Sequence, residues 1–432
     1  MMYYSTNGKA PDATLAKAVV NGLAEDRGLY MPRSIKKLPQ AFFEQIQDLT
    51  FQELSCTVAD AFFGEDIPAD ALHKMVCDTL SFDCPVVRVE DGIYALELFH
   101  GPTLAFKDVG ARFMARMLGH FAGGREINVL VATSGDTGSA VANGFLGVEG
   151  VRVFVLYPKG KVSPIQECQF TTLGGNVTAL EIDGCFDDCQ ALVKNAFMDE
   201  ALRAALPLTS ANSINVARFL PQAFYYFNAY ARLREQGFGG QPVICVPSGN
   251  FGNLCAALFG AEMGLPVRRF IAANNANRVF FDFLQSGVYT PRPSLQTLAN
   301  AMDVGDPSNF ARIWELYGRS ADAIRARISG CTVDDATIAA TIRECLASTQ
   351  YLLDPHGACG YRALKDGLQA GETGIFCETA HPAKFKEKVE AIIGAEVAVP
   401  ERLAAFMRGQ KQSVALGKDY QGFRNYLTDT LL

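Results

Sequence analysis

Along most of the chain, short unbroken apolar runs rich in β-branched residues alternate with stretches whose apolar positions recur at helical spacing. The runs at 127–132, 151–156, 177–182, 243–246, 270–273 and 375–377 are the clearest. A strand that is apolar on both faces belongs in a parallel sheet covered by helices, so the alternation predicts an α/β architecture. Three runs end in turns that open helices: VLVATSGDTGSAV, VICVPSGNFGNLCAALF, with its helix over 254–262, and IFCETAHPAKFKEKVEAII. In an open α/β sheet such turns lie at the carboxyl ends of the strands, where ligands bind. The first 90 or so residues read differently, as an extended start, a helix over 13–23 opening after Asp12, a turn-rich GLYMPRSIKKLP and two further helices. A short apolar run at 95–98 leads into HGPTLAFKD, which puts a domain boundary near residue 95: an N-terminal domain over 1–95 and an α/β region over 96–432. The stretch 296–353 carries no strand pattern and reads as mostly helical, with loops at GDPSN and LDPHG.

At roughly 100–200 residues per domain, 432 residues predict two or three domains. Hydrophobic residues at 49%, charged residues at 20% and a mean hydropathy of +0.08 place the chain outside the disordered regime. Thirty-nine basic residues against 46 acidic ones give −7, so no global basic field exists for nucleic acid or an anionic membrane, and a phosphorylated ligand must be held locally. The 12 cysteines include no C-x-x-C pair, and the closest two, Cys185 and Cys189, have no histidine beside them. That excludes a zinc ribbon or disulfide framework and leaves no metal site to expect. With no signal-peptide pattern and no run of 18 apolar residues, a cytoplasmic protein with reduced thiols is the expectation.

Candidate chemistry concentrates in the turns. In SGNFGN, Gly249 and Gly252 carry no side chain, so backbone N–H groups can close around an anion at a helix N-terminus; the same glycines also suit an ordinary strand-to-helix turn. Neither the Walker A pattern nor G-x-G-x-x-G is present, which argues against ATP hydrolysis and dinucleotide binding. TSGDTG, over 133–138, offers hydroxyls and helix-start amides suited to a carboxylate or phosphate, or else Ser134 or Asp136 caps the following helix. Lys107 begins a helix whose apolar positions Phe106, Val109, Phe113, Met114 and Met117 have near-helical spacing. It reads either as a partly desolvated amine of lowered pKa, suited to Schiff-base chemistry, or as a surface lysine laid along an amphipathic helix. Asp108 points another way on that helix and is a poor ion partner for it. Arg218 on local sequence is a solvated or salt-bridged helix residue. His100, His356 and His381 lack metal spacing and read as packing or hydrogen-bonding residues.

HGPTLAFKD, ATSGDTG, SANSINVARF, PSGNFGN and ETAHPAKFK stand in the order, and at roughly the separations, of the threonine synthases, and the chain resembles the longer microbial type with an extra N-terminal domain. The similarity also takes in GLYMP at 28–32, YPKGKVSPIQE at 157–167 and NAMDVGDPSN at 300–309. The resemblance implies an α/β fold of pyridoxal phosphate fold type II, tryptophan synthase β-like, with two open parallel-sheet domains plus a small N-terminal domain. It implies pyridoxal 5'-phosphate as cofactor and conversion of O-phospho-L-homoserine and water to L-threonine and phosphate. Lys107 matches the lysine that carries the cofactor and shuttles protons. Gly249, Asn250, Phe251, Gly252 and Asn253 match the loop on the cofactor phosphate, and Thr379 the hydroxyl at the pyridine nitrogen. Ser134 and Thr137 match the grip on the substrate carboxylate, with Asp136 near the cofactor's 3-oxygen, where related enzymes carry asparagine. Asn212, Ser213 and Arg218 match the grip on the substrate phosphate, for which a guanidinium fork is suited; Lys161 and Arg112 are further cationic candidates. Arg278 departs from the family pattern, which has an acidic residue there, and Cys185 and Cys377 are local substitutions. A monomer is implied. The competing readings are a phospho-lyase that releases 2-oxobutyrate, ammonia and phosphate from the same substrate, and a non-catalytic phosphometabolite-binding protein.

Overall fold

A computed structural model describes residues 1–432. The chain opens with a small antiparallel sheet of β1 (Met2–Ser5), β2 (Ala13–Thr14) and β3 (Tyr30–Pro32), in the order β2-β1-β3. Pairing of Ala13 and Thr14 with β1 delays the first helix, α1 (Leu15–Asn21), past the start expected after Asp12. Thr14 caps it by accepting from Lys17 N–H at 3.3 Å, while Asp12 instead pairs with Arg33 Nε at 2.7 Å.

Two parallel sheets follow. The smaller contains β6 (Ile127–Ala132), β7 (Val151–Pro158), β8 (Val177–Ile182), β9 (Leu208–Ser210) and β14 (Val414–Leu416), in the order β14-β8-β7-β6-β9. The larger contains β4 (Val86–Glu90), β5 (Ile93–Glu97), β10 (Val243–Pro247), β11 (Arg269–Asn274), β12 (Ile328–Thr332) and β13 (Gly374–Glu378), in the order β12-β11-β10-β13-β5-β4. Every pair in these two sheets is parallel except β4–β5, which forms an edge hairpin. All residues of β6, β10 and β13 are buried, which explains their unbroken apolar sequences.

Three features differ from the sequence pattern. Strand β12 lies within the stretch 296–353 that reads as helical; ISGCT is short, polar at its centre and an edge strand, so it shows no apolar run. Residue 95 falls inside β5, so the last part of 1–95 supplies strands to the larger sheet. The chain also returns at its C-terminal end to add β14 beside β8. The helices that bear on the site are α2 (Lys107–Ala122), α3 (Asp136–Phe145), α4 (Val216–Phe219), α5 (Gly252–Glu262), α6 (Phe310–Leu316) and α7 (Pro355–Gly367). No helix is long and apolar enough to cross a membrane.

Candidate functional site

The carboxyl ends of β6, β7, β10 and β13 converge on one cavity of about 540 Å³, a size that suits a small molecule of cofactor dimensions. Its wall includes Ala132 and Ser134 after β6, Pro158 from β7, Pro247 to Asn253 after β10, and Thr379 after β13. This is the place that open parallel sheets reserve for ligands.

Lys107 and Thr379 are brought together by their own backbones. Ala105 and Ala380 form an antiparallel bridge, Phe106 N–H donates to Thr379 O at 2.8 Å, and His381 N–H donates to Leu104 O at 3.0 Å. HGPTLAFKD and ETAHP thus run side by side, and both Lys107 and Thr379 line the cavity. Lys107 Nζ has no carboxylate partner; it stands 5.6 Å from the centre of the Phe106 ring. Burial lowers its pKa to about 8, with Lys384 and Arg218 pushing the same way and Asp136 opposing. Lys107 is half-buried at the start of α2, between the surface lysine and the desolvated amine that local sequence allows.

Behind Thr379 lies a buried acid network. Asp354 accepts from His356 N–H at 2.7 Å, His356 Nδ1 at 2.6 Å and Ala380 N–H at 3.3 Å, and its own N–H donates to Glu378 Oε1 at 2.5 Å. Burial, with the nearby Asp354 charge, pushes the Glu378 carboxyl well above the usual range. Ala301 N–H donates to His356 Nε2 at 3.1 Å, so the ring proton sits on Nδ1 facing Asp354. The network anchors the turn that presents Thr379, and His356 itself reaches the cavity wall.

The two glycine-bearing turns take different local forms. In TSGDTG the helix cap is neither Ser134 nor Asp136: α3 starts after Gly135, whose φ is 143°, and Thr133 Oγ1 accepts from Gly135 N–H at 2.9 Å and Gly138 N–H at 2.8 Å. Ser134 and Thr137 are thereby left to line the cavity. In PSGNFGN, α5 begins two residues earlier than the apolar pattern indicates, at Gly252, after Phe251 in the left-handed region at φ 60°. A Cβ on Gly249 would meet Met302 Cα at 2.7 Å, and one on Gly252 would meet Ser213 Cβ at 3.0 Å. Asn253 pins the turn through Nδ2 to Pro247 O at 3.1 Å and accepts from Ser248 Oγ.

Arg218 is 2% exposed, contrary to its solvated reading. One Nη1 bond, to Ala211 O at 2.8 Å, holds it, and its Nε has no acceptor. Burial pushes its pKa down to about 10, so it remains a cation at neutral pH. A Cβ on Gly110 would stand 2.3 Å from Arg218 O, so the missing side chain lets α2 approach α4. Asn212 and Ser213 line the same wall, and Asn250 Nδ2 donates to Ser213 Oγ at 2.7 Å, joining SANSINVARF to PSGNFGN.

Of the residues singled out from sequence, Lys107, Ser134, Thr137, Asn212, Ser213, Arg218, Gly249, Asn250, Phe251, Gly252, Asn253 and Thr379 all border this cavity, and so does Lys161. Asp136 does not. It is 5% exposed and committed to Lys384 Nζ at 2.7 Å and Gln166 Nε2 at 2.9 Å. Although burial opposes ionisation, Lys384, Lys107 and Gln166 hold this carboxyl far below the usual range. Arg112 lies elsewhere, donating to Asp78 O and Thr79 O at 2.7 and 3.0 Å, and Arg278 pairs with Asp282 at 2.9 Å. His356 hydrogen-bonds, as its sequence reading allows, whereas Lys384 and Gln166 are not marked by the sequence reasoning. Lys384 lies inside ETAHPAKFK and Gln166 inside YPKGKVSPIQE, so only their place in those motifs could have marked them.

The residues fit a phosphorylated pyridoxal. An amine without a carboxylate partner, a turn whose two glycines leave no room for a Cβ, a buried guanidinium and a neutral hydroxyl line one polar space. Comparison with known proteins agrees. Residues 82–376 match the family model described as pyridoxal-phosphate dependent enzyme, residues 2–80 the threonine synthase N terminus and residues 357–427 the threonine synthase C-terminal model. The chain is 48% identical over 404 residues to a threonine synthase from Serratia marcescens, covering 94% of each chain. It superposes on the crystal structure of threonine synthase from Escherichia coli with a TM-score of 0.93 and 45% identity, covering all of both chains. Against the pyridoxal-phosphate-bound threonine synthase from Brucella melitensis the TM-score is 0.94 at 36% identity, covering 99% of each chain.

Proposed function

The chain belongs to the threonine synthase family of pyridoxal-phosphate-dependent enzymes, and from that premise we propose that its cavity converts O-phospho-L-homoserine and water to L-threonine and phosphate. The observation that carries the reading is the convergence of the Lys107 amine, the Gly249–Asn253 turn and the Arg218 guanidinium on a single space.

Lys107 would carry the cofactor, Gly249, Asn250, Phe251, Gly252 and Asn253 would hold its phosphate, and the Thr379 hydroxyl would meet its ring nitrogen. Pyridoxal 5'-phosphate, when bound, supplies an electron sink for the carbanions left at the α- and β-carbons. A neutral hydroxyl at the ring nitrogen moderates that sink compared with an acidic partner. Ser134, Thr137 and the first amides of α3 bind the substrate carboxylate at a helix N-terminus. Arg218, with Asn212 and Ser213 beside it on the cavity wall, takes the substrate phosphate, its guanidinium held in place by the bond to Ala211 O. Once released, the Lys107 amine takes the proton from the α-carbon and serves the later transfers at the β- and γ-carbons, for which a pKa near 8 lets it act as base and acid at neutral pH. Lys161 is an added cation at the mouth. Asp136 is assigned a role through the wall, balancing Lys384 beside Lys107.

The comparisons do not favour the phospho-lyase or a non-catalytic binding protein. A monomer is part of the reading, and so is a cytoplasmic setting, supported by 12 free thiols. We place the division between the N-terminal and catalytic regions ahead of β4, where two family models meet. Borohydride reduction of the cofactor-loaded protein followed by peptide mapping tests the assignment of the lysine: the phosphopyridoxyl group belongs on Lys107, and its recovery on another lysine would refute the site.

A further inference from the structure

Two motifs that the proposed reaction leaves without a role, GLYMP at 28–32 and NAMDVGDPSN at 300–309, meet at one buried cation. Arg312, on α6, has no exposed surface. A guanidinium offers five N–H donors, and here all find oxygen: Nε and Nη2 donate to Tyr30 O at 3.2 and 3.1 Å, Nη1 to Asn309 Oδ1 at 2.6 Å and Ser213 O at 3.4 Å, and Nη2 also to Ile214 O. Its plane lies 4.1 Å over the Phe219 ring. No carboxylate pairs with it, and burying a guanidinium without one is costly unless every donor is matched.

The acceptors belong to three segments far apart in sequence, and two of them continue to the cofactor turn. Asn309 Nδ2 donates to Asn250 O at 3.0 Å and to Ser213 Oγ at 3.4 Å. Ser308 N–H donates to Asn250 Oδ1 at 2.6 Å, and Asn250 Nδ2 donates to Ser213 Oγ at 2.7 Å. Asn250 is therefore held on both sides by the segments that Arg312 grips, while Arg312 itself does not line the cavity.

We propose that Arg312 is a positioning residue: by pinning Ser213, Ile214 and Asn309 to the Tyr30 backbone of the N-terminal region, it sets the Gly249–Asn253 turn in the shape that receives the cofactor phosphate. The inference rests on the assignment of that turn to the phosphate. Lysine keeps the charge but has three donors and no planar fork, so it cannot hold three segments at once.

The test uses the full-length protein, stripped of cofactor and titrated separately with pyridoxal 5'-phosphate and with pyridoxal. Binding is followed by the visible band and by the fluorescence of Trp314, the one tryptophan of the chain, on α6 itself. The wild-type protein prefers the phosphorylated form. Arg312→Lys and Asn309→Ala each reduce that preference by about 10- to 100-fold, the range for lost hydrogen bonds to a charged group, with pyridoxal affinity close to wild type. An unchanged preference in both variants would overturn the proposal, as would an equal loss for both ligands, the signature of a merely structural role. If Arg312→Lys does not fold, Asn309→Ala reads the same ratio. A wild-type protein indifferent to the phosphate would instead refute the turn's assignment, and the proposal with it.

Discussion

An amine with a pKa of about 8 is a substantial fraction neutral at physiological pH, whereas an ordinary lysine near 10.5 is almost wholly ammonium. Burial favours the uncharged form, so the nucleophilic fraction of Lys107 rises through a midpoint near pH 8. The rate at which cofactor-free protein captures pyridoxal 5'-phosphate should follow that curve; a midpoint near 10.5 would show a solvated amine. Lys107→Ala should fold, lose the visible band that marks lysine-bound cofactor and lose turnover, which spectra and kinetic assay together check. Arg218→Ala should lower kcat/KM for the phosphorylated substrate by about 10- to 100-fold, as expected for lost charge-assisted hydrogen bonds, while cofactor content stays near wild type. Neither residue declares itself locally in the sequence. Lys107 sits on an amphipathic helix and Arg218 within a four-residue helical turn; what desolvates them are segments far along the chain, which the ordered motifs identify and periodicity does not. Lys384 and Gln166 were invisible for the same reason, because the charge that explains them, Asp136, is brought to them only by the fold.

At the scale of elements, legibility followed burial. Strands β6, β10 and β13 are covered on both faces, so their apolar runs mark them out, and β6 begins and ends where its pattern does. The edge strands β12 and β14 carry exposed or polar positions and left no such mark. Helix starts were displaced where backbone needs override periodicity. Thr14 and Thr133, rather than Asp12, Ser134 or Asp136, accept from the helix-start amides, because β2 pairing and the positive φ at Gly135 move the first helical turn. The same close packing makes the cofactor turn intolerant of side chains. Gly249→Ala places a Cβ 2.7 Å from the backbone of Met302; relieving that overlap should cost about 1–3 kcal/mol. It should appear as weaker cofactor binding in a titration, and wild-type affinity would show that the turn is not closed around its ligand.

For the molecule as a whole, the site depends on both sheets, since β6 and β7 form one wall and β10 and β13 the other. A ligand that bridges the two walls binds the folded chain and not the unfolded one, so cofactor at 100 times its Kd should stabilise it by about 2.7 kcal/mol. A melting temperature unmoved by saturating pyridoxal 5'-phosphate would argue against a bridging position. The division into two sheets came only with the family resemblance, while the helix-covered parallel-sheet class was readable from alternation and the placement of the cavity from where three apolar runs end. The way β4 and β5 complete the larger sheet was not, because β4 has an alternating edge pattern that merges with the preceding helices. The central claim concerns chemistry, and one assay addresses it most directly: purified, cofactor-loaded protein is given O-phospho-L-homoserine, and threonine, 2-oxobutyrate and free phosphate are quantified together. The account predicts threonine and phosphate in equal amounts; phosphate matched by 2-oxobutyrate, or no phosphate at all, would contradict it.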